Sequence, residues 1–193
     1  MIDIEIKINR MQMAQIQRLL REFPKEMPTA MAGAINDTAK DARNYAANEL
    51  YKELNLKKSY IKSLLKISKA KRTKQSAMIS ISGRRPGLIH FSARQTSKGV
   101  GYKITRRGGR KSILHAFIQE VKGAKNVWIR VRGKGPSGLV PRKPITRLEG
   151  PSPAKVISDS PAMSAKIKTH TSSNLEYNIS RRIHRILNWR ATG

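Results

Sequence analysis

Few residues in this chain have the types and spacing that catalysis needs. Glu120-Val121-Lys122 has the form of half a nuclease site, in which carboxylates hold a metal ion. Such a site needs a second acid on an upstream strand, and residues 54–119 contain none, so the triplet reads as a chance match. Gly108-Gly109-Arg110-Lys111-Ser112 is superficially similar to a phosphate-binding loop. The Walker pattern requires an adjacent Gly-Lys pair leading into a helix, and here Arg110 intervenes. His90, His115, His170 and His184 are widely spaced, without a paired His or carboxylate at ligand intervals. His90 and His115 fall in expected strands and read as structural. No serine sits in a Gly-x-Ser-x-Gly elbow. We therefore expect no enzyme, no metal, no cofactor and no small-molecule substrate.

Phosphate contact remains open, because it needs only Lys and Arg. Arg106, Arg107, Arg110 and Lys111 place four cations within six positions of a Gly-bearing loop. Lys58, Lys62, Lys66 and Lys69 are spaced as one stripe of a short helix, which fits a DNA-contacting face or an ordinary solvated one. Tyr60, Phe91, Tyr102 and Phe117 read mostly as core, so base stacking is not supported. Contact with a backbone, without sequence preference, is the chemistry left.

The charge balance agrees. Among 193 residues, 40 are Lys or Arg and 12 are Asp or Glu, a formal net charge of +28. Residues 1–53 hold eight acids and eight bases, whereas 54–119 hold 17 bases and no acid. Self-repulsion on that scale opposes compaction, which points to an anionic partner or an oligomeric setting. Without cysteine there is no disulfide framework and no zinc ribbon. Apolar runs never exceed three residues, so neither a membrane span nor a signal-peptide core is present. The start, Met1-Ile2-Asp3-Ile4-Glu5-Ile6, alternates like a strand and is unlike a targeting peptide. A soluble protein made inside the cell is the expectation.

The elements that must position these residues form an α+β pattern in one domain, 1–193. Its front, 1–75, holds a strand at 2–8 and an amphipathic helix through Met13, Ile16, Leu19, Leu20 and Phe23. A longer helix follows from Pro28 to about Leu54, made slim by its alanines. Of these, Ala30, Ala34, Ala39, Ala42 and Ala46 are candidates for subunit packing, with a plain core helix as the equal alternative. Residues 57–68 read as the basic helix, burying Tyr60, Ile61, Leu64, Leu65 and Ile67. Over 76–150 the period falls to two. Strands at 77–82, 88–93, 100–105, 113–121 and 127–132 imply an antiparallel sheet or partly closed barrel. Residues 133–143 are a Gly/Pro loop and 144–148 an edge strand. In 151–193, Ser152-Pro153 and Ser160-Pro161 are N-cap signals, the second opening a long C-terminal helix to about Trp189. That helix would be about 40 Å long, and its polar stretch 168–174 is where it should bend or fray.

The order of these blocks resembles the minor tail protein Z family, tail-completion proteins of long-tailed bacteriophages and prophages, over about residues 28–190. The resemblance rests on Ala34-Ile35-Asn36, the Lys-rich segment to Lys74, and Pro86…Leu88-Ile89-His90-Phe91-Ser92-Ala93-Arg94-Gln95. It continues through the Arg/Gly loop 106–111, Ala116-Phe117-Ile118, Trp128-Ile129-Arg130-Val131-Arg132, Arg142…Pro144-Ile145 and Gly150-Pro151-Ser152, then a long basic helix. His115 stands where the family's Gly would precede Ala-Phe-Ile, a departure that bears on a local turn.

The resemblance implies a non-enzymatic structural protein of the virion, made in the bacterial host cytoplasm. It implies a ring of copies at the head-proximal end of the tail, near the head–tail junction through which DNA passes. Its partners would be further copies of itself, neighbouring tail terminator, tube and connector proteins, and double-stranded DNA in the channel. There would be no membrane. Six copies, by family analogy, would carry about 168 positive charges, while a lumen ~40 Å tall holds duplex with only ~24 phosphates. Most of the charge would therefore face acidic neighbours or solvent, with Arg106, Arg107, Arg110 and Lys111 as candidates for the lumen. The rival is a free, sequence-independent nucleic-acid-binding protein.

Overall fold

Helix α2 (Met27–Glu53) organises the fold. Pro28 sits in its first turn, where a missing N–H costs nothing, and the Leu54 N–H closes it by donating to the Leu50 carbonyl at 2.8 Å. The computed structural model describes residues 2–19, 25–121, 123–130 and 145–191. One side of α2 lies along α5 (Pro161–Ala191), the other against a sheet of β1 (Ile2–Lys7), β3 (Ser76–Ile81) and β2 (Leu65–Ser68). Ala30, Ala34, Ala39, Ala42 and Ala46 are all buried within this sandwich. They belong to the chain's own core. Small side chains let the two helix axes approach closely along this seam.

A polar interior also joins α2 to α5. Asn178 donates to the Thr38 hydroxyl at 3.1 Å, and that hydroxyl donates to the Ala34 carbonyl at 2.9 Å. Asp37 accepts from Arg182 at 2.6 Å and Arg181 at 3.2 Å. Burial alone would raise the Asp37 pKa; the Arg182 hydrogen bond and the charges of Arg182, Lys40 and Arg181 outweigh it and hold the carboxyl below its usual range. The stretch 168–174 does not bend or fray, because Ile167 and Thr171 both turn inward and His170 stacks on Tyr45 with centroids 3.9 Å apart. At 31 residues α5 is about 46 Å long. Its cap is the expected one, with the Met163 N–H donating to Ser160 Oγ. Helix α1 (Arg10–Leu19) buries Ile16; the expected Leu20 and Phe23 lie outside the described residues.

The strands are antiparallel throughout but form three small sheets, not one sheet or a closed barrel. The second is β4 (Arg94–Thr96), β5 (Gly99–Tyr102) and β6 (Lys111–Leu114), and the third β7 (Phe117–Val121), β8 (Ala124–Arg130) and β9 (Ile145–Arg147). The expected strand 113–121 breaks between them at His115, whose φ of 60° lies in the left-handed region. This is the position where the family resemblance led us to expect Gly. A non-glycine residue there carries roughly 1–2 kcal/mol of backbone strain. His115→Gly is expected to gain about 0.5–1 kcal/mol after the entropy of the added glycine is counted, raising Tm by roughly 1–4 °C in calorimetry. An unchanged or lower Tm would refute it.

Two other expected elements differ. The helix over 57–68 ends early: α3 covers Lys58–Ser63, and the chain then extends as β2, pairing Leu65 with Ile81 and Ile67 with Ile79. Residues 88–93 are not a strand; Leu88–His90 forms a 3-10 turn. Leu88 and Phe91, three apart, are both buried, which suits a three-residue period and not alternation. The expected 144–148 edge is β9, and the hairpin turn tightens so that Val121 faces Ala124 with Gly123 at φ 73°. The 133–143 loop lies outside the described residues. Helix α4 (Pro153–Ser158) starts at the expected cap, the Lys155 N–H donating to Ser152 Oγ.

Candidate anion-binding cleft

The C-terminal end of α2 is tied to a distant segment. Leu54 bridges Thr105, the Asn55 N–H donates to the Ile104 carbonyl at 2.8 Å, and the Arg106 N–H donates to the Glu53 carbonyl at 3.0 Å. The Arg106 side chain adds to this, with Nε donating to the Tyr51 carbonyl at 2.5 Å and Nη2 to the Leu56 carbonyl at 3.2 Å. Its guanidinium lies 3.6 Å above the Tyr51 ring. A cation at the negative end of a helix dipole is favourable, so Arg106 closes α2 electrostatically as well as geometrically.

Beside this closure is a cleft of about 490 Å³, walled by Tyr51, Lys57, Lys58, Tyr60, His90 and Arg106. The Tyr60 ring stacks on His90 with centroids 4.2 Å apart. Asn55 holds the floor, donating to Ser92 Oγ at 3.1 Å and to the Lys103 carbonyl at 3.0 Å. Among the described residues no carboxylate lines the cleft. Burial first, and then the charges of Arg147 and Lys57, lower the His90 pKa.

The structure thus brings together one residue from each predicted basic group, Lys58 and Arg106, and separates the rest. Arg110 is a tie, donating to the Ser92 carbonyl at 2.9 Å and the Gly101 carbonyl at 3.2 Å. Arg107 and Lys111 are exposed and make no ion pair among the described residues. Lys62 is half-buried on α3, Lys66 faces out from β2 opposite Ser80, and Lys69 lies beyond that strand. The helical stripe therefore does not exist as one face. Lys57, Tyr51 and the Tyr60–His90 stack were not singled out by spacing. The adjacent Lys57-Lys58 pair just after a helix end was the available signal.

The chemically suggestive motifs are dispersed. Glu120 is exposed on β7 opposite Lys125, and no group of three or more His, Cys, Asp or Glu among the described residues could hold a metal. Gly108 donates its N–H to Thr105 Oγ1 at 3.0 Å, and the loop runs on into β6, not a helix. His115 occupies the turn before β7, His170 the Tyr45 stack, and His184 an exposed position on α5. No helix among the described residues is long and apolar enough to cross a membrane.

No curated protein and no solved structure matches the chain. Residues 12–189 match the family described as prophage minor tail protein Z (GPZ). The match starts inside α1 and stops two residues short of the end of α5, so it takes in the α2–α5 core, most of the sheets and the cleft. With nearly the whole fold inside that span, the chain belongs to the prophage minor tail protein Z family.

Proposed function

We propose that this minor tail protein completes the head-proximal end of the tail tube, as a ring of copies around the DNA channel at the head–tail junction. It is a structural virion component with no catalytic role. The observation that carries the reading is the charge segregation. The acid-free stretch 54–119 supplies many exposed cations, while the neutral front 1–53 supplies the α2 core. Channel DNA offsets a minority of this charge, and acidic tail and connector proteins are the partners for most of the remainder.

Within the ring, Arg107 and Lys111 are the lumen candidates, since Arg106 and Arg110 are engaged in holding the fold. Arg107→Glu/Lys111→Glu is expected to enter tails at the normal level, seen by electron microscopy of purified particles, and to reduce infectivity through impaired DNA passage. Normal infectivity would refute the lumen assignment. Absence of the wild-type protein from purified tails, with tight duplex binding by the isolated chain, would instead favour the free nucleic-acid binder.

A further inference from the structure

The cleft at the end of α2 concentrates three formal cations, Lys57, Lys58 and Arg106, without a facing acid. None of the three makes an ion pair among the described residues. Such a cluster in a concave wall focuses a positive potential that a bound anion relieves.

The donor set narrows the anion. The Nε and Nη2 side of Arg106 is engaged with the Tyr51 and Leu56 carbonyls, so the side-on fork that clasps a carboxylate is occupied. What remains is the Nη1 edge and two ammonium groups, which act as mobile point charges with three donors each. Three separate donors around a hollow suit a tetrahedral oxyanion better than a planar one. Several positive charges also favour a group able to carry close to two negative ones, as a phosphate monoester does.

We propose that this cleft is a phosphate-binding site, with Lys57, Lys58 and the free edge of Arg106 holding the oxyanion beside the Tyr60–His90 stack. The assignment rests on the cleft itself and goes beyond the placement of the subunit in the tail. Its ligand is a phosphate group, carried by nucleic acid or free in solution.

The test uses the full chain at matched ionic strength, so that general screening of a strongly cationic protein is constant. Inorganic phosphate is the first probe, read by thermal shift and by NMR titration of the His90 ring. The charged and titratable groups facing that ring are Lys57, Lys58, Tyr60, Arg106 and Arg147. Phosphate should raise Tm and move the His90 midpoint upward, because an adjacent anion favours imidazolium. Lys57→Gln/Lys58→Gln should weaken the response about tenfold or more while keeping the wild-type fold, and Lys66→Gln should leave it unchanged. Competition by a 5′-phosphorylated duplex but not its unphosphorylated twin identifies a nucleic-acid end as the source. Equal competition by both identifies the backbone, and competition by neither identifies free phosphate. The proposal is overturned if phosphate leaves the His90 midpoint unmoved. It is equally overturned if the double variant responds like wild type, or if a poly-glutamate peptide occupies the cleft and phosphate fails to displace it. None of these readouts depends on tail assembly, so failure here and failure of the tail reading are separate results.

Discussion

Gly150→Ala is expected to destabilise the protein by about 3 kcal/mol, lowering Tm by roughly 6–12 °C. A Cβ at Gly150 would overlap Cε2 of Phe91 and lie 2.6 Å from Cζ and 2.9 Å from Cδ2. Phe91 is 0% exposed, so its ring has no solvent side to swing into. The backbone at Gly150 cannot retreat easily either. Its N–H donates to the Pro86 carbonyl at 2.8 Å, and its carbonyl accepts from Arg85 Nε at 3.2 Å. Close-packed interiors transmit such an overlap instead of absorbing it. Gly109→Ala is the control, since nothing lies within 4 Å of the added carbon, and it should melt like wild type. Phe91 closes the 3-10 turn that carries His90, so Gly150→Ala should also blunt the phosphate response of the cleft. Equal melting of the two alanine variants would show that Phe91 is not packed against Gly150.

The second large effect is expected at Ala39→Leu. Ala39 is 0% exposed in the core around α2, and leucine adds three carbons where no space is open to solvent. Overpacking of this kind costs about 1–3 kcal/mol, and a fully buried alanine belongs at the upper end. The loss should be the same at low and high protein concentration, because the contact lies within one chain. If the alanines packed between subunits, the loss would grow with concentration as assembly came to supply the stability. Chemical denaturation at two concentrations tenfold apart separates the cases. A concentration-dependent shift would return Ala39 to a subunit interface.

The helices were legible because their signals are local. Pro28, Ser152 and Ser160 mark starts within a few residues of the apolar periodicity they introduce, and all three act as expected. The strand β2 was not legible. Lys58, Lys62, Lys66 and Lys69 fit a helical stripe in the sequence, yet Leu65 and Ile67 find partners on β3, and that pairing overrides local spacing. The division into three small sheets was not legible for a related reason: the break at His115 is a single backbone angle within an otherwise alternating run. The cleft was half legible. Lys58 and Arg106 were singled out separately, but their meeting depends on the bridge between Leu54 and Thr105, which no local pattern encodes. That Arg106 and Arg110 tie down backbone carbonyls was equally invisible, since a structural arginine and a binding one look alike in sequence.

The Thr38–Asn178 bond joins positions 140 residues apart. On a ribosome adding about 5–20 residues per second, α2 is complete some 7–28 s before its partner helix is available. For that interval Ala30, Met31 and Ala34 lack the α5 side chains Ile179 and Ile183 that later lie beside them. A nascent chain is therefore exposed to chaperones and proteases along its most apolar helix. A polypeptide that stops short of residue 178 never seals that seam. Completion of the α2–α5 seam thus waits on the last helix to be synthesised.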